Sequence, residues 1–193
     1  MMRIITGSAR GTRLQTLTGE NTRPTAERTK EAIFSVLQFE LQGKSVLDLF
    51  AGSGQMALEA LSRGAEHAVL CDASREACRV IESNAVKTRL LLKCEIYTLD
   101  WSLLLRNLKG RRTFGLVFLD PPYAMGAVPK VLEKLLESRL LDENAKIVCE
   151  TAEEQDVFLD NALLRSQFEI LRTARYGAAF VTILKWKGEG ESE

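Results

Sequence analysis

The tetrapeptide Asp120-Pro121-Pro122-Tyr123 follows a strongly apolar segment, FGLVFL at residues 114–119, and its residue types suit chemistry on an amine. The Asp120 carboxylate and the Pro121 carbonyl are two acceptors that could bind both hydrogens of an exocyclic amine. The prolines stiffen the backbone that carries these acceptors, and Tyr123 offers an aromatic face for a nucleobase. We therefore assign catalysis to Asp120, Pro121, Pro122 and Tyr123. A strand-ending turn with an exposed tyrosine is the alternative.

A glycine turn lies between a predicted strand and a predicted helix in VLDLFAGSGQMALEAL, residues 46–61. Gly52 and Gly54 let a ligand approach the backbone at the carboxyl end of the strand, where open α/β sheets bind nucleotides. Asp48 heads the turn, and Phe50 stands where a further glycine could sit. A carboxylate there repels a pyrophosphate but attracts an ammonium group. This favours S-adenosylmethionine as the cofactor, against a purely structural turn.

Two further carboxylates end the next two predicted strands. Asp72 stands where such folds place the acid that binds ribose hydroxyls, and Asp100 could accept from an adenine amino group. Each alone is more typical of a turn or a helix N-cap, but three acids at successive strand ends point to one crevice. His67 is the only histidine. We predict a structural or surface role for it, and no metal site.

The elements that must position these residues alternate along the chain. Strands are predicted at 45–50, 67–72, 93–99, 116–120 and 146–150, with helices over 55–64, 74–87, 101–109 and 128–140. This alternation predicts a parallel sheet with helices on both faces. Two strand patterns at 168–175 and 178–186, separated by Tyr176–Gly177, predict an antiparallel hairpin.

The N-terminal segment differs from the rest in charge. Residues 1–30 carry six basic and two acidic side chains, a net charge of +4, although the formal net charge of the 193-residue chain is zero. Segments 3–8 and 13–17 resemble short strands, and a helix is predicted to begin near Pro24. The remaining residues therefore sum to −4. A basic segment on such a chain favours a polyanionic partner approached from one side, although a solvated basic terminus would look the same.

Composition is typical of a globular protein, with 46% hydrophobic and 27% charged residues. The four cysteines show no CxxC spacing and are predicted to be free thiols. We find no apolar run long enough to span a membrane and no signal peptide, so we expect a cytoplasmic protein. We also expect a monomer. The predicted organisation is a basic extension at 1–24, a catalytic domain at 25–187 and a flexible tail at 188–193.

The pair FAGSG and DPPY resembles the amino-group branch of class I S-adenosylmethionine-dependent methyltransferases. RIITGSARGTRL (3–14), TRPTAERTKEAIFSVL (22–37) and DLFAGSGQMALEALSRGA (48–65) are similar to the bacterial family that methylates guanine N2 in 16S ribosomal RNA. The likeness runs over residues 2–187. It implies a Rossmann-like α/β fold with a mostly parallel seven-stranded sheet and an antiparallel C-terminal hairpin. It also implies S-adenosylmethionine as cofactor and 16S ribosomal RNA as partner, free or in an assembling small subunit.

The resemblance also implies individual roles. Asp48, Phe50, Gly52, Gly54, Asp72 and Asp100 fall in the family's cofactor site, and Asp120 to Tyr123 fall in its catalytic loop. The RNA contacts are expected at Arg10, Arg13, Arg23, Thr25 and Arg28. After Asp72 the chain reads Ala-Ser-Arg, where relatives often have another acid. Capping of the next helix should therefore fall to Ser74.

Two other functions remain open at this point. Methylation of adenine N6 or cytosine N4 in DNA uses the same tetrapeptide, but no separate segment is long enough for a DNA target-recognition domain. A noncatalytic RNA-binding assembly factor with the same fold is the third hypothesis. The intact DPPY and the cofactor turn argue against it.

Overall fold

The computed structural model describes residues 2–17, 24–122, 126–151, 157–177 and 179–188, which form helices around one seven-stranded sheet. In chain order the elements are α1 (Pro24–Leu37), β1 (Ser45–Asp48), α2 (Gln55–Ser62), β2 (His67–Asp72), α3 (Arg75–Lys87), β3 (Cys94–Thr98), α4 (Trp101–Leu108), β4 (Phe114–Leu119), α5 (Val128–Glu137), β5 (Leu141–Thr151), α6 (Ala162–Gln167), β6 (Phe168–Tyr176) and β7 (Ala179–Trp186). A 3-10 turn at Leu91–Lys93 precedes β3.

The strand order across the sheet is β3-β2-β1-β4-β5-β7-β6. The first five of these strands pair in parallel. β7 then pairs antiparallel with both β5 and β6. The predicted Rossmann-like class I fold and its antiparallel C-terminal hairpin are confirmed. The chain reverses its direction of winding between β1 and β4, and such a switch point opens a crevice at the carboxyl ends of the strands.

Two layers of helices cover the sheet. α1, α2 and α3 pack on one face together with the N-terminal segment, and α4, α5 and α6 pack on the other. β4 shows why its sequence is apolar at every position: Leu116 and Phe118 belong to the first layer, while Val117 and Leu119 belong to the second. A strand covered on both faces buries both sets of alternating side chains.

Several predicted boundaries are wrong. β5 begins at Leu141 rather than 146, although Glu143 and Asn144 are exposed, because its start pairs with Phe114 before the register shifts. The short helix α6 is absent from the predicted elements. The two predicted N-terminal strands amount to one isolated antiparallel bridge, between Arg3 and Arg13. Residues 189–193 of the predicted tail lie outside the described ranges.

Three predictions about side-chain chemistry can be compared with the structure. All four cysteines are free thiols. In the part of the chain that the structure describes, no helix has the length and apolar character needed to cross a bilayer. The same ranges contain no group of three or more His, Cys, Asp or Glu side chains placed to hold a metal ion.

Candidate active site

The residues between β1 and α2, which we call the cofactor turn (49–54), form a tight turn directly after β1. The Ala51 N–H donates to the Cys71 carbonyl at 2.9 Å, and the Gly54 N–H donates to the Ala51 carbonyl at 2.6 Å. Gly52 and Gly54 have φ angles of 53° and 77°, in the left-handed region that favours glycine. A Cβ on Gly54 would lie 3.2 Å from Ile81 Cγ2. The left-handed backbone therefore favours glycine at both positions, and at Gly54 a Cβ would also crowd the Ile81 side chain.

Asp72 holds the cofactor turn from the end of β2. One carboxylate oxygen, Oδ2, accepts from the Gly52 N–H at 2.9 Å, and Oδ1 accepts from the Ser74 N–H at 2.8 Å. Ser74 in turn caps α3, because its hydroxyl accepts from the Ala77 N–H at 3.3 Å. The prediction that Ser74 caps this helix is confirmed. The Asp72 side chain is half-buried, so it borders the crevice while ordering the turn.

Asp48 is buried beneath the cofactor turn, with 3% of its surface exposed. Burial raises the pKa of this carboxyl to about 7, and the nearby charge of Asp72 acts in the same direction. Backbone N–H groups of Ala57 and Phe50 hydrogen-bond to the carboxyl and oppose the increase in its pKa. A buried carboxylate of this kind is stabilised by a cation bound next to it.

β4 delivers the predicted catalytic residues beside β1. Phe118 pairs with Asp48 across the two parallel strands, and Asp120 follows two residues later at the same edge of the sheet. Asp120 and Pro122 are exposed, whereas Pro121 is buried. Tyr123 lies outside the described residues. The ends of β2, β1 and β4 are neighbours, so they bring Asp72, Asp48 and Asp120 to one crevice.

Asp100 lies outside the strand to which the sequence pattern assigned it. β3 ends at Thr98, and Asp100 is the N-cap of α4, where its Oδ1 accepts from the Ser102 N–H at 2.8 Å. The hydrogen bond from the Ser102 hydroxyl lowers the pKa of Asp100. Phe50 packs partly against the second hydrophobic layer. The adenine contact of Asp100 and the cofactor contact of Phe50 stay predictions.

The N-terminal segment, residues 2–17, which we call the basic arm, buries Met2, Ile4, Ala9 and Leu14 in the first layer and is also bound by hydrogen bonds to its backbone. Glu59 on α2 is fully buried and accepts from the N–H groups of Ile5 at 2.8 Å and Thr6 at 3.0 Å. Lys30 on α1 places its Nζ 3.4 Å from Glu59 and donates to the Arg3 carbonyl at 2.6 Å. The arm is thus attached to two helices of the first layer.

Ser62 on α2 and Asn84 on α3 bind the basic arm further along. The Ser62 hydroxyl accepts from the Ala9 N–H at 3.0 Å and donates to the Thr6 carbonyl at 2.6 Å. Asn84 Oδ1 accepts from the Gln15 N–H at 2.8 Å. All of these contacts reach main-chain atoms of the arm, so its side chains are not needed for them.

The arginines predicted to contact RNA occupy the outside of this region. Arg10 and Arg13 on the basic arm and Arg28 on α1 are exposed. Arg23 lies outside the described residues, and Thr25 lies in the first turn of α1, where only the backbone is described. Lys30 contributes to the sequence charge of this region but is 2% exposed and paired with Glu59, and burial lowers its pKa. It therefore adds no surface charge.

Glu59, Ser62 and Asn84 are the functional candidates that the sequence pattern missed. Each is buried on a helix, whereas glutamate, serine and asparagine are mostly exposed in globular proteins. One signal was present in QMALEALS, where Glu59 stands between Leu58 and Ala60 with apolar residues on both sides. A charged residue in a helix that is apolar all round indicates a buried partner.

Two other features involve side chains that were not predicted to belong to the site. His67 begins β2 at the amino edge of the sheet, with its Nε2 3.4 Å from Glu95 Oε1. A groove of about 490 Å³ lies between α3 and β3 and is lined by Arg75, Cys78, Arg79, Glu82, Leu91, Cys94, Ile96 and Thr98. None of these lining residues was predicted from the sequence to bind the cofactor or RNA or to take part in catalysis.

Comparisons with known proteins agree with this geometry. A family model described as conserved hypothetical protein 95 matches residues 2–185. YlbH of Bacillus subtilis, provisionally named an rRNA methyltransferase, is 35% identical over 188 residues, covering 97% of this chain and 100% of that protein. Ribosomal RNA small subunit methyltransferase D of Haemophilus influenzae is 33% identical over 159 residues, 80% of each chain. The solved structure of yhhF from Escherichia coli, provisionally named a methyltransferase, has a TM-score of 0.82 at 27% identity, covering 96% of this chain and 98% of that one.

Proposed function

The chain belongs to the conserved hypothetical protein 95 family, a family of class I rRNA methyltransferases, and we propose that it methylates the exocyclic N2 amine of one guanine in 16S ribosomal RNA. The resemblance of the N-terminal and DPPY segments supports guanine N2. Relatives named ribosomal RNA small subunit methyltransferase D support the 16S molecule. The observation that carries the proposal is the position of Asp120 and Pro121 at the end of β4, beside the strand that leads into the cofactor turn.

S-adenosylmethionine is the cofactor, and the charges around the crevice suit it. It supplies a methyl group activated by attachment to a positively charged sulfur. We assign its ammonium group to the neighbourhood of Asp48 and its ribose hydroxyls to Asp72, while Gly52 and Gly54 leave the backbone accessible. Buried and half-buried carboxylates would repel a phosphate-bearing cofactor, whereas they favour a cationic one.

The reacting amine needs help because its lone pair is delocalised into the guanine ring. The Asp120 carboxylate and the Pro121 carbonyl accept its two hydrogens, which favours a tetrahedral nitrogen with its lone pair directed toward the methyl group. Bound S-adenosylmethionine would supply the methyl group and leave as S-adenosylhomocysteine, and Asp120 or water would accept the proton that the methylated nitrogen loses. Orientation of this kind can lower a barrier by about 7–11 kcal/mol. A strong general base is not required before transfer, because the neutral amine is itself the nucleophile and loses its proton afterwards.

Binding of the RNA is assigned to the surface around this crevice. Arg10, Arg13 and Arg28 are exposed and suit phosphate groups, and the resemblance adds Arg23 and Thr25. Tyr123 is assigned to stack on the target base, which contributes about 1–3 kcal/mol in single-stranded nucleic-acid complexes. If the guanine is paired, it must leave the helix at a cost of a few kcal/mol.

The test combines mapping of the product with a variant of the catalytic loop. Mass spectrometry of 16S ribosomal RNA from cells with and without the protein should show one N2-methylguanosine that depends on it. Purified protein should transfer labelled methyl groups to that RNA, and Asp120→Ala should abolish transfer while leaving the affinity for S-adenosylhomocysteine largely unchanged.

The control for Asp120 is Asp142→Ala. Asp142 is a carboxylate near the start of β5, at the opposite edge of the parallel strands, so its removal should leave methyl transfer intact. Label found only in duplex DNA would favour the DNA hypothesis instead. Binding of RNA without any methyl transfer by the wild-type protein would favour the assembly factor, and either result would refute the proposal.

A further inference from the structure

Asn84 on α3 lies where the basic arm meets the cofactor turn. Its side chain is completely buried. Its Nδ2 donates to the Gln15 carbonyl of the arm and to the Ser53 carbonyl of the turn, each at 2.9 Å, and its Oδ1 accepts from the Gln15 N–H at 2.8 Å. One amide group therefore connects main-chain atoms of two segments that belong to different parts of the proposed site.

Ser53 contacts the arm at a second point. Its hydroxyl, on a residue that is 3% exposed, donates to the Met2 Sδ at 3.2 Å. On its other side the turn is held by Asp72, through the Gly52 N–H. The cofactor turn is thus fixed between β2 and the basic arm, and its position on the arm side depends on Asn84 and Ser53.

The pattern of donors and acceptors requires an amide at position 84. The Gln15 N–H can only donate, so the oxygen of Asn84 must face it, and the two carbonyls can only accept, so the nitrogen must face them. An aspartate offers no such pair of donors, and an apolar side chain offers neither donor nor acceptor. Either change leaves buried main-chain groups without partners, which is strongly unfavourable.

We propose that Asn84 is a positioning residue through which cofactor binding at the turn and RNA binding at the basic arm strengthen each other. The proposal rests on the function assigned above to the arm. Ser53 lies between the two glycines of the turn, so a cofactor that further restricts the turn also restricts the Asn84 amide and, through it, Gln15. RNA that orders the arm acts in the reverse direction. Such coupling is reciprocal, because each ligand must raise the affinity for the other by the same factor.

The test measures binding rather than catalysis. Equilibrium dialysis of labelled S-adenosylhomocysteine against the full chain gives its Kd with and without a transcript of 16S ribosomal RNA. For the wild type we expect RNA to lower this Kd by at least about fivefold, the lower end for coupled sites. Asn84→Asp keeps the side-chain size but removes the two donors, so it should bring the ratio of the two Kd values close to one.

Thr88→Val is the matched control. Thr88 is also buried and is the C-cap residue of α3, one turn after Asn84, and its hydroxyl donates to carbonyls of that helix, those of Asn84 and Ala85. This variant loses a buried hydrogen bond without touching the arm or the turn. It should retain the wild-type ratio even if it lowers stability.

Amide hydrogen exchange on the wild type gives a second measurement that needs no variant to fold. S-adenosylhomocysteine should slow exchange of the Gln15 N–H on the arm, and RNA should slow exchange of the Gly52 and Gly54 N–H groups in the turn. A wild-type ratio of one, a ratio retained in Asn84→Asp, or unchanged exchange at Gln15 would each overturn the coupling. Failure of methyl transfer by the wild type would instead overturn the proposed function, while the binding ratio would still report on Asn84.

Discussion

Replacing Asp48 by asparagine should stabilise the protein at pH 8 while weakening its hold on the cofactor. The carboxyl is 3% exposed, and burial raises its pKa from the ordinary 3.8 to about 7. At pH 8 it is therefore ionised in a place that disfavours its charge. The amide of the variant cannot ionise, so that unfavourable contribution disappears, but the partner for a cationic ligand disappears with it.

The sign and size of the change in unfolding free energy caused by Asp48→Asn follow from proton linkage. The folded state binds this proton more tightly than the unfolded chain, so the stabilising effect is complete below the unfolded pKa and is lost as pH rises through the folded value near 7. A difference of about three pKa units corresponds to roughly 4 kcal/mol. The new amide donor without a buried partner costs about 1–3 kcal/mol. We expect a net gain in unfolding free energy of about 1–3 kcal/mol at pH 8.

Urea unfolding of the wild type and of Asp48→Asn at pH 5 and pH 8 measures this gain. The advantage of the variant should be present at pH 8 and shrink or reverse at pH 5, where the wild-type carboxyl is already protonated. Calorimetric titration at pH 8 should show a higher Kd for S-adenosylhomocysteine. Asp100→Asn is the control of opposite sign, because the pKa of Asp100 is lowered by Ser102 and its stabilising effect is lost as pH falls. A variant equally destabilised at both pH values would refute the reasoning.

Three further changes test other contacts. Arg10→Ala combined with Arg13→Ala should weaken RNA binding and reduce the slope of log K against log salt concentration by about one to two. An unchanged slope would show that the basic arm is not part of the RNA interface. Gly54→Ala and Gly110→Ala both place alanine at a left-handed φ, which should lower the unfolding free energy by about 1–2 kcal/mol each. Of the two, only Gly54→Ala would also press a Cβ against Ile81. Gly54→Ala should therefore lower urea stability more than Gly110→Ala, and equal losses would contradict the close packing. Glu59→Gln should cost about 3–5 kcal/mol in unfolding free energy, because it leaves the Lys30 ammonium buried without its counter-ion. Glu137→Gln, which breaks the exposed pair with Lys134, should have no measurable effect, and similar losses for both variants would refute a special role for Glu59.

The sequence predicts the sheet well where residue types leave few alternatives. The continuous apolar run at 114–119 had to be a strand covered on both faces, and it is β4. Ser74 had to cap α3 once no acid followed Asp72, and it does. The boundary of β5 was missed because Glu143 and Asn144 are polar and exposed, although they lie within the strand. Polarity alone does not distinguish a loop from a solvated part of a strand.

The sequence is less informative about groups whose environment depends on distant segments. Glu59 and Asn84 bind the basic arm, which is distant from them in sequence, and their partners on the arm are main-chain atoms that every residue carries. Lys30 was counted with the surface charge of the N-terminal region, whereas its partner is a glutamate on the next helix. Residue type and spacing predicted the glycine turn and two of the three strand-end acids, Asp48 and Asp72, since these depend on local geometry.

The hydrogen bonds to the backbone of the basic arm make its attachment to the helices independent of the identity of its exposed side chains. On the arm, Glu59, Ser62 and Asn84 bind peptide N–H and C=O groups rather than side chains. The exposed side chains of the arm can therefore change while the arm stays attached to the helices. Arg10, Arg13 and the other exposed residues of the arm can be replaced while the hydrogen bonds from Glu59, Ser62 and Asn84 to its backbone stay the same. Chimaeras that carry the exposed residues of a relative's arm should therefore keep the fold, so the RNA contacts proposed for the arm can be varied separately from its attachment.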